Sequence, residues 1–451
     1  MRTLIQNGTV VDPSQGIHSR LNLLLEDGEV AGLTSRPVEA DRVIDAAGGI
    51  VCPGFIDIHM HEDPWDPRAD RLVPDIMTAM LRMGVTTAIG GNCGINTTLP
   101  SRYLDLMDRD GGPVNMGLLA GHTFLRELAG HKDKYSPVTD GELEEIRRLA
   151  RQELEAGCLG VSFGIRYVPG LTRREMLAAA EGCRDRQKLI AAHVRDDAEH
   201  IFDAVRELAD VGRALDIPVQ NSHVGSMGGF GQMERLLAML DEYRAGGLDL
   251  TSDCYPYYAF STRIGETTYD RGFLERYRCD YRVIEICEGP YRGQRCTPDI
   301  FRELRETAPR TLTICHVMRP EDVDTALLHP AVMVASDGLL DNGQGHPRAA
   351  GTFPRFLRRY ALDGGLTVDE AVCKMTWMPA RKLGLDKKGT LRPGADADIT
   401  IFDPAALRDG ATFDDPTAPP SGITAVLIGG ETAVSGGTVV RSDLGRSVRR
   451  F

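Results

Sequence analysis

The middle of the chain repeats one unit eight times, and this limits its fold more than any other feature. Between about residues 52 and 383, short β-branched runs alternate with stretches of helical periodicity. The runs end in Asp57-Ile58-His59, Ala88-Ile89-Gly90, Leu118-Leu119-Ala120, Gly160-Val161-Ser162, Ala191-Ala192-His193, Gln220-Asn221-Ser222-His223, Thr251-Ser252-Asp253 and Val334-Ala335-Ser336-Asp337. Helical patterns such as 142–155 and 199–214 separate them. Eight strand–helix units over about 330 residues predict an α/β fold, a (β/α)8 TIM barrel over 52–383. A ninth run, 311–316, exceeds the count and is placed in an insertion around 260–330.

Both ends of the chain read differently. Residues 1–51 and 384–451 are short alternating runs broken by turns such as Asn7-Gly8, Asp27-Gly28 and Gly436-Gly437. Chain ends often lie close together, so one small β domain built from both termini is expected.

Composition narrows the class. With 42% hydrophobic and 26% charged residues the chain is expected to be soluble and globular. A formal charge of −13 argues against nucleic acid or anionic membranes as partners. The basic end Arg446-Ser447-Val448-Arg449-Arg450 is read as a frayed, solvated terminus. No apolar run reaches the ~18 residues of a membrane span, and the start has no signal-peptide core. The ten cysteines include no C-x-x-C pair. The expectation is a reduced, cytoplasmic protein acting on a small molecule, with room for a homo-oligomer.

The strand ends carry chemistry. In this class of barrel, catalytic groups sit at the C-terminal ends of the strands. Strand one ends in His59-Met60-His61; residues i and i+2 of an extended chain point the same way, so both imidazoles are expected to face one ion. Strand two runs into Cys93, strands five and six end in His193 and His223, and the last ends in Asp337. Thiolate plus imidazole suits zinc, and a carboxylate beside the metal suits proton transfer during hydrolysis. His18, His131, His200 and His329 are expected at the surface. His316 is read as structural, His122 as either packing or support for the site, and His346 as a candidate site wall.

The stretches PGFIDIHMHED (53–63), GVTTAIGGNCG (84–94), NMGLLAGHTFLR (115–126), HVRDD (193–197), QNSHVGSMGG (220–229), DCYPY (253–257), ASDG (335–338), HPRAAGTFPR (346–355) and GTLRPGADADITIFDP (389–404) run nearly end to end. Through them the chain resembles the amidohydrolase superfamily and, within it, the N-acyl-D-amino acid deacylases. The resemblance implies a distorted barrel with a small β-sandwich formed by both termini. It implies that Cys93, His193 and His223 hold one tightly bound Zn2+, and that His59 and His61 belong to a second, weaker metal position. Relatives such as dihydroorotases use a carboxylated lysine from strand four. None of the seven lysines here falls at that strand end, where Ser162 and Gly164 stand. Asp337 matches the catalytic acid/base. A substrate α-carboxylate needs a donor; Arg263 is the first candidate, with Tyr257, Ser261 and Arg348 also proposed for substrate binding.

One departure bears on specificity. Where the family carries a basic residue two positions after the sixth-strand histidine, this chain has Gly225, which points to neutral or apolar substrate side chains. Two other readings stand beside the deacylase. One is a cyclic amide or imide hydrolase of hydantoinase or dihydroorotase type. The other is a catalytically silent barrel, which would be expected to have lost ligands.

Overall fold

The computed structural model describes residues 1–36 and 38–451. Its centre is a barrel of eight parallel strands: β1 (Phe55–Asp57), β2 (Val85–Gly90), β3 (Asn115–Leu118, resuming at Ala120–Gly121), β4 (Gly160–Gly164), β5 (Leu189–His193), β6 (Val219–Asn221), β7 (Leu250–Cys254) and β8 (Val332–Val334). Each pairs with its neighbours in chain order, and the break in β3 divides the ladder in two. Strands such as β2, Val-Thr-Thr-Ala-Ile-Gly, are buried throughout and show no polar alternation, as a parallel sheet covered on both faces requires. The covering helices are amphipathic. Helix Asp140–Glu155 opens with a Thr139–Glu142 capping box and buries Leu143, Ile146, Leu149 and Leu154.

The barrel closes just beyond its strands. Met60 bridges Gly338, the Asp337 amide donates to the His59 carbonyl at 2.8 Å, and the His61 amide donates to the Gly338 carbonyl at 2.9 Å. The backbone bonds that seal β1 to β8 thus set His59, His61 and Asp337 side by side.

Both termini build the second unit, a β-sandwich. One sheet contains Arg2–Gln6, Asn22–Glu26, Glu29–Thr34 and Arg42–Asp45. In the other, Ile399–Phe402 pairs antiparallel with Ile50–Pro53, joining the two ends of the chain. Ile5, Leu23, Val51, Ile399 and Leu427 are buried together between the sheets.

Between β7 and β8 lies the insertion. Its ninth strand, Leu312–Cys315, is the centre of a separate antiparallel sheet, flanked by Phe260–Arg263 and Ile284–Ile286. The basic C-terminus is not frayed. The Met116 amide donates to the Arg446 carbonyl at 3.0 Å, the Val448 amide to the Met116 carbonyl at 2.7 Å, and Arg449 pairs with Asp105 and Asp108. Acidic side chains on the barrel fix what composition alone marked as a solvated tail. Among the described residues no helix is long and apolar enough to cross a membrane.

Candidate active site

Three residues at the C-terminal mouth of the barrel leave ordinary backbone conformations. Cys93, His223 and Asp337 have φ of 53°, 35° and 48°, the left-handed region that costs a non-glycine residue about 1–3 kcal/mol. Extended backbone sends successive side chains to opposite faces; one left-handed residue breaks that alternation. The Cys93 turn packs tightly on β4. A Cβ at Gly164 would lie 2.2 Å from the Cys93 carbonyl oxygen, so only glycine fits there and a lysine does not.

The donor atoms converge. Cys93 Sγ lies 3.5 Å from His59 Nε2, 3.4 Å from His223 Nε2 and 4.0 Å from His193 Nδ1. His59, Cys93 and His223 each place a ligand atom within 4.8 Å of the others, and so do His59, His61 and Asp337. His59 therefore belongs to both groups. His61 reaches only the second, where it shares a point with His59 and Asp337. His223 Nδ1 lies 3.0 Å from Ser226 Oγ, which itself donates to the His223 carbonyl. That contact orients the ring so that Nε2 faces Cys93. Burial opposes ionisation of the Cys93 thiol, but His59 and His223 outweigh it and hold the thiol well below its usual range. Burial, helped by His223, lowers the pKa of His193 and favours its neutral form. A buried thiolate with convergent imidazole nitrogens is a donor set that fits zinc.

Asp337 stands at the edge of this cluster. Its Oδ1 lies 3.2 Å from His61 Nε2 and 3.5 Å from His59 Nε2, and its Oδ2 lies 2.9 Å from Arg348 Nη1. Burial opposes its charge; Arg348 first, then His61, hold the carboxyl well below the usual carboxylate range. On His61 burial acts downward, yet Asp337 and Cys93 carry the imidazole up to about 9.

A cavity of about 720 Å³ opens onto the cluster, and Ser261, Arg263 and Arg348 line it. Tyr257 does not. It is buried behind the wall, its hydroxyl 3.4 Å from the Pro347 carbonyl and its ring under Arg355. Arg348 lines the cavity while buried, paired to Asp337 and set over the Tyr255 ring. Arg263 bonds the Arg310 carbonyl at 2.6 Å and approaches Asp341 at 3.3 Å. His346 sits behind the wall and accepts the Arg348 amide at 3.0 Å. His131, expected at the surface, lines the cavity, and His122 is buried against Glu175. A second, more open cavity of about 550 Å³, between Asp324, Arg355 and Asp409, contains none of the cluster residues.

Two residues missed in the sequence complete the site. Asp253, at the end of β7, approaches His59 Nδ1 at 3.3 Å and accepts the His223 amide at 2.8 Å. Its place in the DCYPY strand end was the available signal. Tyr167 packs against His193 at a 58° tilt with ring centroids 4.6 Å apart, and nothing in its local sequence announces it.

A (β/α)8 barrel with this thiolate–imidazole cluster and a buried aspartate at its mouth defines a metal-dependent hydrolytic enzyme. The profile of the amidohydrolase family matches residues 107–434, and the chain belongs to that family. It is 33% identical to a D-aminoacylase of Alcaligenes xylosoxydans xylosoxydans, covering 95% of this chain and 93% of the relative. Among solved structures it is similar to a D-aminoacylase described with a binuclear metal centre, at a TM-score of 0.88, 30% identity and 99% coverage of both chains. It is also similar to the N-acyl-D-glutamate deacylase of Bordetella bronchiseptica complexed with zinc and a phosphonate mimic of the tetrahedral intermediate (TM-score 0.87, 29% identity, 99% of both chains).

Proposed function

We propose that the protein hydrolyses the amide bond of N-acyl-D-amino acids with neutral or apolar side chains, giving a carboxylate and a free D-amino acid. The observation that carries this reading is the convergence of Cys93, His59, His193 and His223 beside an ionised Asp337 at the end of one cavity. Cys93, His193 and His223 would hold a tightly bound zinc, and His59 and His61 a weaker second position. Zinc, when bound, supplies Lewis acidity that polarises the amide carbonyl and activates water for attack.

The chain's own groups do the rest. Arg348 keeps Asp337 ionised at neutral pH, so its carboxylate can take the proton of the attacking water. Asp337 then returns that proton to the amide nitrogen as the C–N bond breaks, because an unprotonated amine leaves poorly. Ser261 and Arg263 on the insertion wall are placed to meet the substrate's polar end. The side-chain preference rests on the absence of a basic residue at Gly225, two positions after His223. Met227, Phe260 and Leu339 give the cavity apolar wall instead. The Cys93 turn fills the place of a strand-four lysine, in keeping with a linear rather than a cyclic amide.

We also take the domains as 52–383, with the insertion around 260–330, and 1–51 plus 384–451. A cytoplasmic, reducing setting fits ten cysteines that form no disulfide. The test is amine release by the zinc-reconstituted enzyme on matched N-acetyl-D- and N-acetyl-L-amino acids. Strong preference for apolar D-substrates is expected. Zinc-loaded enzyme that turns over neither series overturns the reading.

A further inference from the structure

We propose that Glu62 is a positioning residue that holds the Cys93 loop in its ligand-presenting shape and so sets the affinity of the site for a divalent metal. The proposal rests on the metal reading above. Glu62 follows His61 directly and is buried, and among the described residues no cationic side chain pairs with it. A carboxylate taken out of water without a counter-charge costs several kcal/mol unless its oxygens are bonded. Here all the bonds go to one loop. Oε2 accepts the Gly91 amide at 2.6 Å, and Oε1 accepts the Thr97 amide at 3.0 Å and Asn96 Nδ2 at 3.0 Å.

These contacts bracket Cys93 from both sides. Asn96 extends the clamp to β3: its Oδ1 accepts the Gly121 amide at 2.7 Å and its Nδ2 also donates to the Leu119 carbonyl at 3.2 Å. The loop that carries a left-handed Cys93 is thus fixed from its flanks, and fixed to the residue next to His61. Among the described residues, Glu62 is the one side chain that joins the strand-one ligand pair to both ends of the strand-two ligand loop.

The chemistry requires a carboxylate. Both oxygens face N–H donors, and only an ionised acid offers two acceptor oxygens. A glutamine would turn its own donor against an amide proton. The neighbouring Asp63 provides an internal contrast. It is equally buried, and its oxygens accept the Ile76 and Met77 amides at 2.7 and 2.8 Å, but these belong to helix Asp75–Arg82 and not to the ligand loop.

The experiment compares zinc affinity by chelator competition, and the thiolate-to-cobalt absorption band of the Co2+-loaded protein, across wild type, Glu62→Gln, Glu62→Asp and Asp63→Asn. Glu62→Gln is expected to bind zinc at least ~10-fold more weakly, the lower end for groups that orient metal ligands, and to show an altered cobalt band. Glu62→Asp keeps two acceptor oxygens on a shorter arm and is expected to fall between; it serves if the glutamine variant does not fold. Asp63→Asn is expected to lose thermal stability while keeping wild-type zinc affinity. Glu62 variants with wild-type affinity and cobalt band overturn this proposal alone, as does an Asp63→Asn that weakens zinc equally. Wild type that takes up neither metal overturns the metal reading together with it.

Discussion

The two walls of the cavity are built in opposite ways. On the barrel side, His59, Cys93, His193, His223 and Asp337 sit at the ends of strands, all buried, and each has neighbours that dictate its orientation or charge. Asp253 backs His59, Ser226 turns His223, Tyr167 covers His193, and Arg348 holds Asp337. On the insertion side, Ser261 bonds the Thr313 carbonyl, and Arg263 bonds Arg310 and approaches Asp341. Thr313 and Arg310 belong to the insertion, whereas Asp341 follows β8 on the barrel side. The barrel wall stores backbone strain and buried charge, which only a rigid surround can maintain. Among the described residues, the partners of Ser261 and Arg263 include none of the candidate ligands. The candidate ligands and Asp337 thus rest on the barrel, while Ser261 and Arg263 rest on the insertion.

The largest expected effect tests the barrel wall directly. Asp337→Asn is expected to retain zinc but lose at least ~10²-fold in kcat, the lower end of general acid–base contributions. Metal analysis with steady-state kinetics checks it, and near-normal turnover would remove Asp337 from its role. Next comes Gly164→Ala, whose new Cβ must displace the Cys93 carbonyl. It is expected to cost about 1–3 kcal/mol in urea unfolding, as overpacking does, and to lower zinc content as well. A loss of stability with full zinc occupancy would show that the Cys93 turn tolerates movement.

The insertion wall should respond more mildly. Arg263→Ala is expected to raise KM by about tenfold, equivalent to ~1.4 kcal/mol, with kcat nearly unchanged. A fall in kcat with KM unchanged would place Arg263 in the chemistry and undo the contrast between the walls. A last prediction concerns a buried charge that belongs to neither wall. Lys374 donates to the Val332 carbonyl at 2.8 Å, and burial draws its pKa down from 10.5 to about 8. Between pH 8 and 10.5 the unfolded chain binds a proton that the folded chain does not, so this residue's contribution to stability rises with pH across that window. Lys374→Met should remove that slope from wild-type unfolding curves measured at both ends. An unchanged slope would mean that burial there does not disfavour the charge.

Much of this was legible in one dimension. The period of strand and helix announced the barrel, and the β-rich ends announced a unit shared by both termini, because hydrophobic patterning follows local geometry. His59, Cys93, His193, His223 and Asp337 were visible because each stands at the end of its own strand. Tyr257 was misplaced because a residue beyond β7 has no period to say which way it faces. That Arg348 pairs with Asp337 was not legible, because the two lie on different segments of chain. The C-terminal tail looked loose because Asp105 and Asp108, which hold it, lie far back in the sequence.

By itself, then, the sequence determined the architecture and the kinds of atom available at the barrel mouth. Those depend on periodicity, turn residues and side-chain type, all of which are local. Only the tertiary structure decided that His59 serves two groups, that three left-handed residues turn the ligands together, and that Arg348 keeps Asp337 charged. These depend on distances between strands that are distant in sequence, and on burial, which strengthens a charge pair or penalises a lone ion according to what else the fold brings within reach.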